Sequence, residues 1–227
     1  MINSSDIRKK NKKTIYKTML DGRHYTKQQI STLTGLSVAT CNTLLNNMKS
    51  NKELDVDEEK ELRGVGRGST LFAINSEHEY YILINIHVSK GKRIVDFYLV
   101  NAIGTIVEEK QNTYDSFDLD DMIFAVNIMN AKYGNVKQIV ISVPGVIDGD
   151  EVKFCDIEEL EGVKIVSHFT GETVCMISVI NDMHGIVYGY QAEHKDERSV
   201  VTLAGFTSHP GFSGTHNEVG TAMSRRS

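Results

Sequence analysis

The sequence predicts an α/β chain, α+β overall, in which a small helical module with a β wing precedes a layer of alternating strands and helices. Three observations predict it. Apolar residues recur at helical spacing through residues 11–48, and from residue 81 onward they form alternating or continuous runs of strand length. The charge also changes sign between the two parts: residues 1–70 hold 13 Lys and Arg against 8 Asp and Glu, whereas the rest holds 12 against 22. Within residues 1–53 the count is 10 basic to 3 acidic, a balance that suits a polyphosphate partner and that the acidic remainder would oppose.

A length of 227 residues with 40% hydrophobic content suits one ordinary core and a small second domain, and the expected division is 1–76 and 77–227. No run approaches the roughly 18 apolar residues that a membrane span requires. The opening MINSSDIRKKNKK carries no apolar segment after its basic residues, so the protein is expected in the cytoplasm. Cys41, Cys155 and Cys175 are odd in number and far apart, so buried structural thiols are expected instead of a disulfide framework or zinc ribbon. The eight histidines form no HExxH pattern, and no metal or cofactor is expected.

From Asn11 to Leu20, Ile15, Met19 and Leu20 share a helical face and predict a supporting helix. Thr26 and Gln29 have capping-box spacing at the start of a second helix that carries Ile30 and Leu33. Gly35 ends it in the left-handed conformation, with Leu36 packing beneath the turn, and Ser37 caps a third helix. There Cys41, Leu44, Leu45 and Met48 fall on one apolar stripe.

The outward set of that third helix, Val38, Ala39, Thr40, Asn42, Thr43, Asn46 and Asn47, is small, amide or hydroxyl. Short donors and acceptors let a helix approach base edges closely, and asparagine can pair with adenine through two hydrogen bonds. The segment from Glu53 to Asn75 then reads as strand, charged turn, glycine-rich loop and strand, with Arg63, Arg67 and Ser69 at the tip of a wing suited to a narrow groove. Together these features predict a winged helix-turn-helix bound to double-stranded DNA.

Residues 81–107 read as a three-stranded meander with turns at Ser89 to Gly91 and Asn101 to Gly104. A helix over Asp118 to Tyr133 follows, carrying Leu119, Met122, Ile123, Val126, Ile128 and Met129, then a buried strand QIVISV and a turn at Pro144-Gly145. A second strand, CMISVIN, leads to Asn181-Asp182 and a helix to about Gln191, so a partly parallel sheet is expected.

The order of GLSVATCNTLLNNM, GRGS, IGTIV, SVPGVIDGDEV, VINDMHGIVYGY and GTHNEVG resembles the ROK family, named for repressors, open reading frames and sugar kinases. The resemblance covers nearly the whole chain. It implies that the winged helix-turn-helix is followed by an actin-like, ribonuclease H-like sugar-kinase domain with a shortened second lobe. It also implies that Asn181, Asp182 and Glu218 belong to a sugar site, Asp182 being the catalytic base in a kinase. Several positions depart from the family pattern. Thr221 stands where a zinc-binding histidine is expected, and His87 replaces a magnesium-associated aspartate in IHVSKGK, where the tight glycine turn is also lacking. Against the family pattern, this sequence is also expected to lack the second phosphate loop and most of the adenine-binding lobe.

These departures make the expected function that of a DNA-binding repressor of carbohydrate-use genes and not an enzyme. It would be a homodimer on a palindromic operator, with a possible sugar or sugar-phosphate effector. The alternatives are an ATP-dependent sugar kinase using Asp182, and a truncated regulator without effector response.

Overall fold

The computed structural model describes residues 3–58, 70–116, 118–173, 175–186, 202–204 and 219–221. Its first helix, α1, spans Ser4–Met19, and the Asn3 side chain accepts from the Ser5 amide at its start. It therefore begins before Asn11: the capping residue sets the start, and the first turns are polar and exposed, leaving no apolar period to detect. Ile15 and Met19 are fully buried, while Leu20, placed by the sequence on the same face, lies at the C-cap and is exposed.

Two residues, Tyr25–Thr26, form β1, and α2 follows directly over Lys27–Thr34. The capping box is present in both directions: Thr26 Oγ1 accepts from the Gln29 amide, and Gln29 Oε1 accepts from the Thr26 amide. Only Ile30 of this short helix is buried; Leu33 is exposed, a correction to its expected packing, because eight residues meet the core through a single position. Gly35 takes φ 70°, a conformation costly for residues with a Cβ, and its amide donates to the Ser31 carbonyl.

Helix α3 spans Val38–Ser50 and buries Cys41, Leu44, Leu45 and Met48, the stripe its sequence specifies. Strands β2 (Leu54–Glu58) and β3 (Thr70–Ile74) pair antiparallel, and β1 adds to the other edge of β3. Residues 59–69, where the sequence places the tip of a wing, lie outside the described residues.

Strands β4 (Tyr80–Ser89), β5 (Lys92–Asn101) and β6 (Ile106–Tyr114) form the expected meander, followed by α4 (Leu119–Tyr133) and β7 (Val136–Val143). Asp118 accepts from the Asp120 amide at the start of α4. Ile128 of α4 is half exposed, unlike Met122 and Val126, which are fully buried.

After Pro144 a hairpin of β8 (Gly145–Asp148) and β9 (Glu151–Cys155) leads through a 3-10 turn at Glu158–Leu160 to α5 (Ile165–Phe169). None of these pieces had been expected beyond the turn at Pro144-Gly145. Strand β10 (Met176–Asn181) runs parallel to β7, with Val179 opposite Ile141, and residues 182–186 are helical. The large sheet has the order β10-β7-β4-β5-β6, so it is partly parallel as expected. Strands β11 (Thr202–Ala204) and β12 (Val219–Thr221) form a separate antiparallel pair.

The chain forms two compact units, Met1–Ile82 with Tyr98–Glu109 and Ile128–Lys137, and Leu83–Phe97 with Lys110–Asn127 and Gln138–Ser227. In the first, the stripes of α1, α2 and α3 meet Leu54, Phe72 and Ile74, and the turn residues Ala102 and Ile103 pack against the same core. Among the described residues no helix is long and apolar enough to cross a membrane.

Candidate nucleic-acid interface and ligand pocket

The α3 face is built from its cap outward. Ser37 Oγ accepts from the Thr40 amide at 3.1 Å, which satisfies one free donor of the first turn and sets the direction of the helix. Because the buried stripe occupies one side, Ala39, Thr43 and Asn46 are left exposed on the other, with exposed Val38 beside them. Thr40 and Asn42 are half-buried. The Thr40 hydroxyl lies 2.9 Å from Ser37 Oγ, and Thr43 Oγ1 donates to the Ala39 carbonyl, so part of the polar inventory already serves the helix itself.

Asn42 Oδ1 accepts from Lys27 Nζ at 2.5 Å, joining the first turn of α2 to the edge of the α3 face. Arg63, Arg67 and Ser69, the other residues placed at this interface by the sequence, lie outside the described residues.

Behind the face, Glu53 is a buried carboxylate held from three sides. Its Oε1 accepts from Lys12 Nζ at 2.7 Å and Asn51 Nδ2 at 3.0 Å, and its Oε2 accepts from Tyr16 Oη at 3.2 Å. Burial opposes ionisation of Glu53, but the hydrogen bonds from Lys12, Asn51 and Tyr16 outweigh it and hold the carboxyl below its ordinary value. Burial, then the Glu53 charge, push the Tyr16 phenol well up, so it remains a donor. The cluster ties α1 to the residues just after α3. Sequence reasoning missed both Glu53 and Lys27 as site-shaping residues, since partners 41 and 15 positions apart leave no periodic signal.

The second unit holds an open pocket of about 480 Å³ lined by Gly145, Ile147, Gly149, Val179, Asn181 and His184. Gly145 has no room for a side chain: a Cβ there would lie 2.1 Å from the Phe154 carbonyl oxygen. Its own carbonyl accepts from Asn181 Nδ2, while Asn181 Oδ1 accepts from the Met183 amide at 2.9 Å and starts the following helical turn. Asp182 Oδ1 also accepts from the Met183 amide, at 2.8 Å, and Asp182 is not among the lining residues. The third residue implied for a sugar site, Glu218, lies outside the described residues.

At the position that the family resemblance likens to a first phosphate loop, His87 Nδ1 lies 3.5 Å from the buried Asp96 carboxylate, whose other oxygen accepts from Gln111 Nε2 at 2.7 Å. The meander turn expected at Ser89 to Gly91 is present: Lys90 (φ 51°) and Gly91 (φ 74°) close the β4–β5 connection in two residues. Cys41 is buried, but Cys155 and Cys175 are only half-buried, which amends the expectation of buried thiols. Among the described residues no three His, Cys, Asp or Glu side chains gather as a metal site.

No protein-family model matches the sequence, and no curated relative does. Among solved structures the chain is similar to a ROK family transcriptional regulator described as a homolog of the E. coli MLC protein. They share 15% identity at a TM-score of 0.64, over 87% of this chain and 52% of that one. A ROK family protein from Streptococcus pneumoniae TIGR4 in complex with sucrose matches at 13% identity and a TM-score of 0.42, over 54% of this chain and 41% of that one. The chain thus spans about half the length of the regulator it resembles, and over that span it has the fold of a ROK family transcriptional regulator.

Proposed function

We propose that the chain is a sequence-specific DNA-binding transcriptional regulator, a cytoplasmic repressor of carbohydrate-use genes. In this reading residues 1–76 form the winged helix-turn-helix. The observation that carries it is the α3 face: Val38, Ala39, Thr43 and Asn46 exposed, Thr40 and Asn42 at its edges, all held over a buried stripe by the Ser37 cap. Side chains this short let the helix enter a major groove, while Arg63, Arg67 and Ser69 supply wing contacts. The basic excess of residues 1–53 adds attraction to phosphates, which predicts affinity that falls steeply with salt. The fold shared with a transcriptional regulator supports the same reading.

Residues 77–227 pair two copies on a palindromic operator with half-sites about one helical turn apart, and sense a sugar or sugar phosphate. The pocket beside Asn181 supports the sensing role; Asp182 and Glu218 join it only as the family resemblance implies. A kinase using Asp182 is the competing reading; His87, where the resemblance expects a magnesium-associated aspartate, counts against it.

Fluorescence anisotropy with genomic fragments and random duplexes tests the proposal. Tighter binding to particular fragments, lost in Thr43→Ala and Asn46→Ala, is expected. Equal affinity for genomic and random DNA sinks it. ATP-dependent phosphorylation of a hexose, abolished by Asp182→Asn, would transfer the case to the kinase.

A further inference from the structure

Lys27 and Asn42 form a fixed pair of donors, and we infer that this pair reads a guanine in the major groove; the inference rests on the DNA-binding reading above. An asparagine amide on its own offers one donor and one acceptor, the pattern that matches adenine. Asn42 is not on its own. Its Oδ1 accepts from Lys27 Nζ at 2.5 Å. A lysine ammonium has three donors and no acceptor, so the amide oxygen must face it and the Nδ2 group must face away. Oδ1 keeps a second lone pair but is turned toward the ammonium, so the groups left facing away are donors: the Asn42 amide protons and the ammonium protons not given to Asn42.

Both side chains are half-buried, so each keeps an accessible side, and Asn42 borders the exposed Ala39, Thr43 and Asn46. In the major groove, guanine presents two adjacent acceptors, N7 and O6. Adenine presents an acceptor beside a donor, thymine a single acceptor beside a methyl group, and cytosine a donor. A donor pair with no acceptor therefore matches guanine and meets a repelling N–H on adenine or cytosine. Lysine sets the specificity here by turning the asparagine, as well as by its own contact.

The test is selection of double-stranded DNA from a random library by the full chain, compared with Lys27→Met and Asn42→Ala. The wild type is expected to recover a motif with a guanine at one position of each half-site, favoured over adenine by about tenfold or more. In Lys27→Met the released amide regains its acceptor, and guanine and adenine should approach parity at that position while the rest of the motif stays. Asn42→Ala should lose the preference at the same position.

A wild-type motif that neither variant alters at any single position, or that both variants bind uniformly less tightly, overturns the inference and makes Lys27 a phosphate contact. Absence of any wild-type motif instead overturns the DNA-binding reading on which the inference stands. If Lys27→Met does not fold, Asn42→Ala decides alone.

Discussion

The α3 face and the pocket beside Asn181 are the two candidate binding surfaces of the chain, and they are assembled in opposite ways. The α3 face is made by consecutive residues whose geometry follows from one cap and one helical period: Ser37, then everything not on the Cys41, Leu44, Leu45 and Met48 stripe. The pocket joins residues 36 positions apart, since Asn181 is anchored on the Gly145 carbonyl and Gly145 is pressed against Phe154 of the next strand. A locally built surface tolerates change in its outward residues and fails when its core or cap fails. A pocket built across segments fails wherever one backbone approach is lost.

Substitutions at four positions press on this difference. The largest effect is expected from Leu45→Ala, at a fully buried position of the first unit's core: about 2–5 kcal/mol of stability, read by denaturant unfolding, with DNA binding lost alongside. A near-neutral result would mean that the α3 stripe does not hold the face. Gly145→Ala should follow at about 1–3 kcal/mol, because the new Cβ must displace the Phe154 carbonyl, and hydrogen exchange should rise in β8, β9 and around Asn181 but not in α3. Protection unchanged at Asn181 would separate the pocket from this backbone contact.

Ser37→Ala should cost about 1 kcal/mol through loss of the cap, with Ser37→Gly costing only a few tenths. The smallest effect concerns pH. Glu53 has a lowered pKa in the folded chain, so it contributes stability above the ordinary glutamate range, and that contribution is lost as pH falls through the folded value. Thermal unfolding of Glu53→Gln should therefore change less with pH below about 4.5 than the wild type does; parallel curves would remove Glu53 from the account.

The helical module was largely legible because its signals are local. The Thr26–Gln29 capping box, the Gly35 turn, the Ser37 cap and the α3 stripe each involve residues within one or two turns, and each is found in the structure. The meander was legible from strand-length apolar runs and a partly parallel sheet from the alternation of strands with helices, though not which strands would pair. The exposure of Leu33 and Ile128 was not, because helical periodicity names a face without saying how wide a contact covers it. Nor was the β8–β9 hairpin, whose short strands carry exposed Val146 and Phe154 and so lack a clean alternation.

By itself the sequence determined where α2 and α3 start and stop and which side of α3 faces outward, since caps and periods act between near neighbours in the chain. Tertiary structure decided how that face is presented. Lys27 turns the Asn42 amide from another helix, and Glu53 gathers Lys12, Tyr16 and Asn51 behind α3. Hydrogen bonds between residues 15 or 41 positions apart depend on packing that brings those positions together, and no local pattern specifies them.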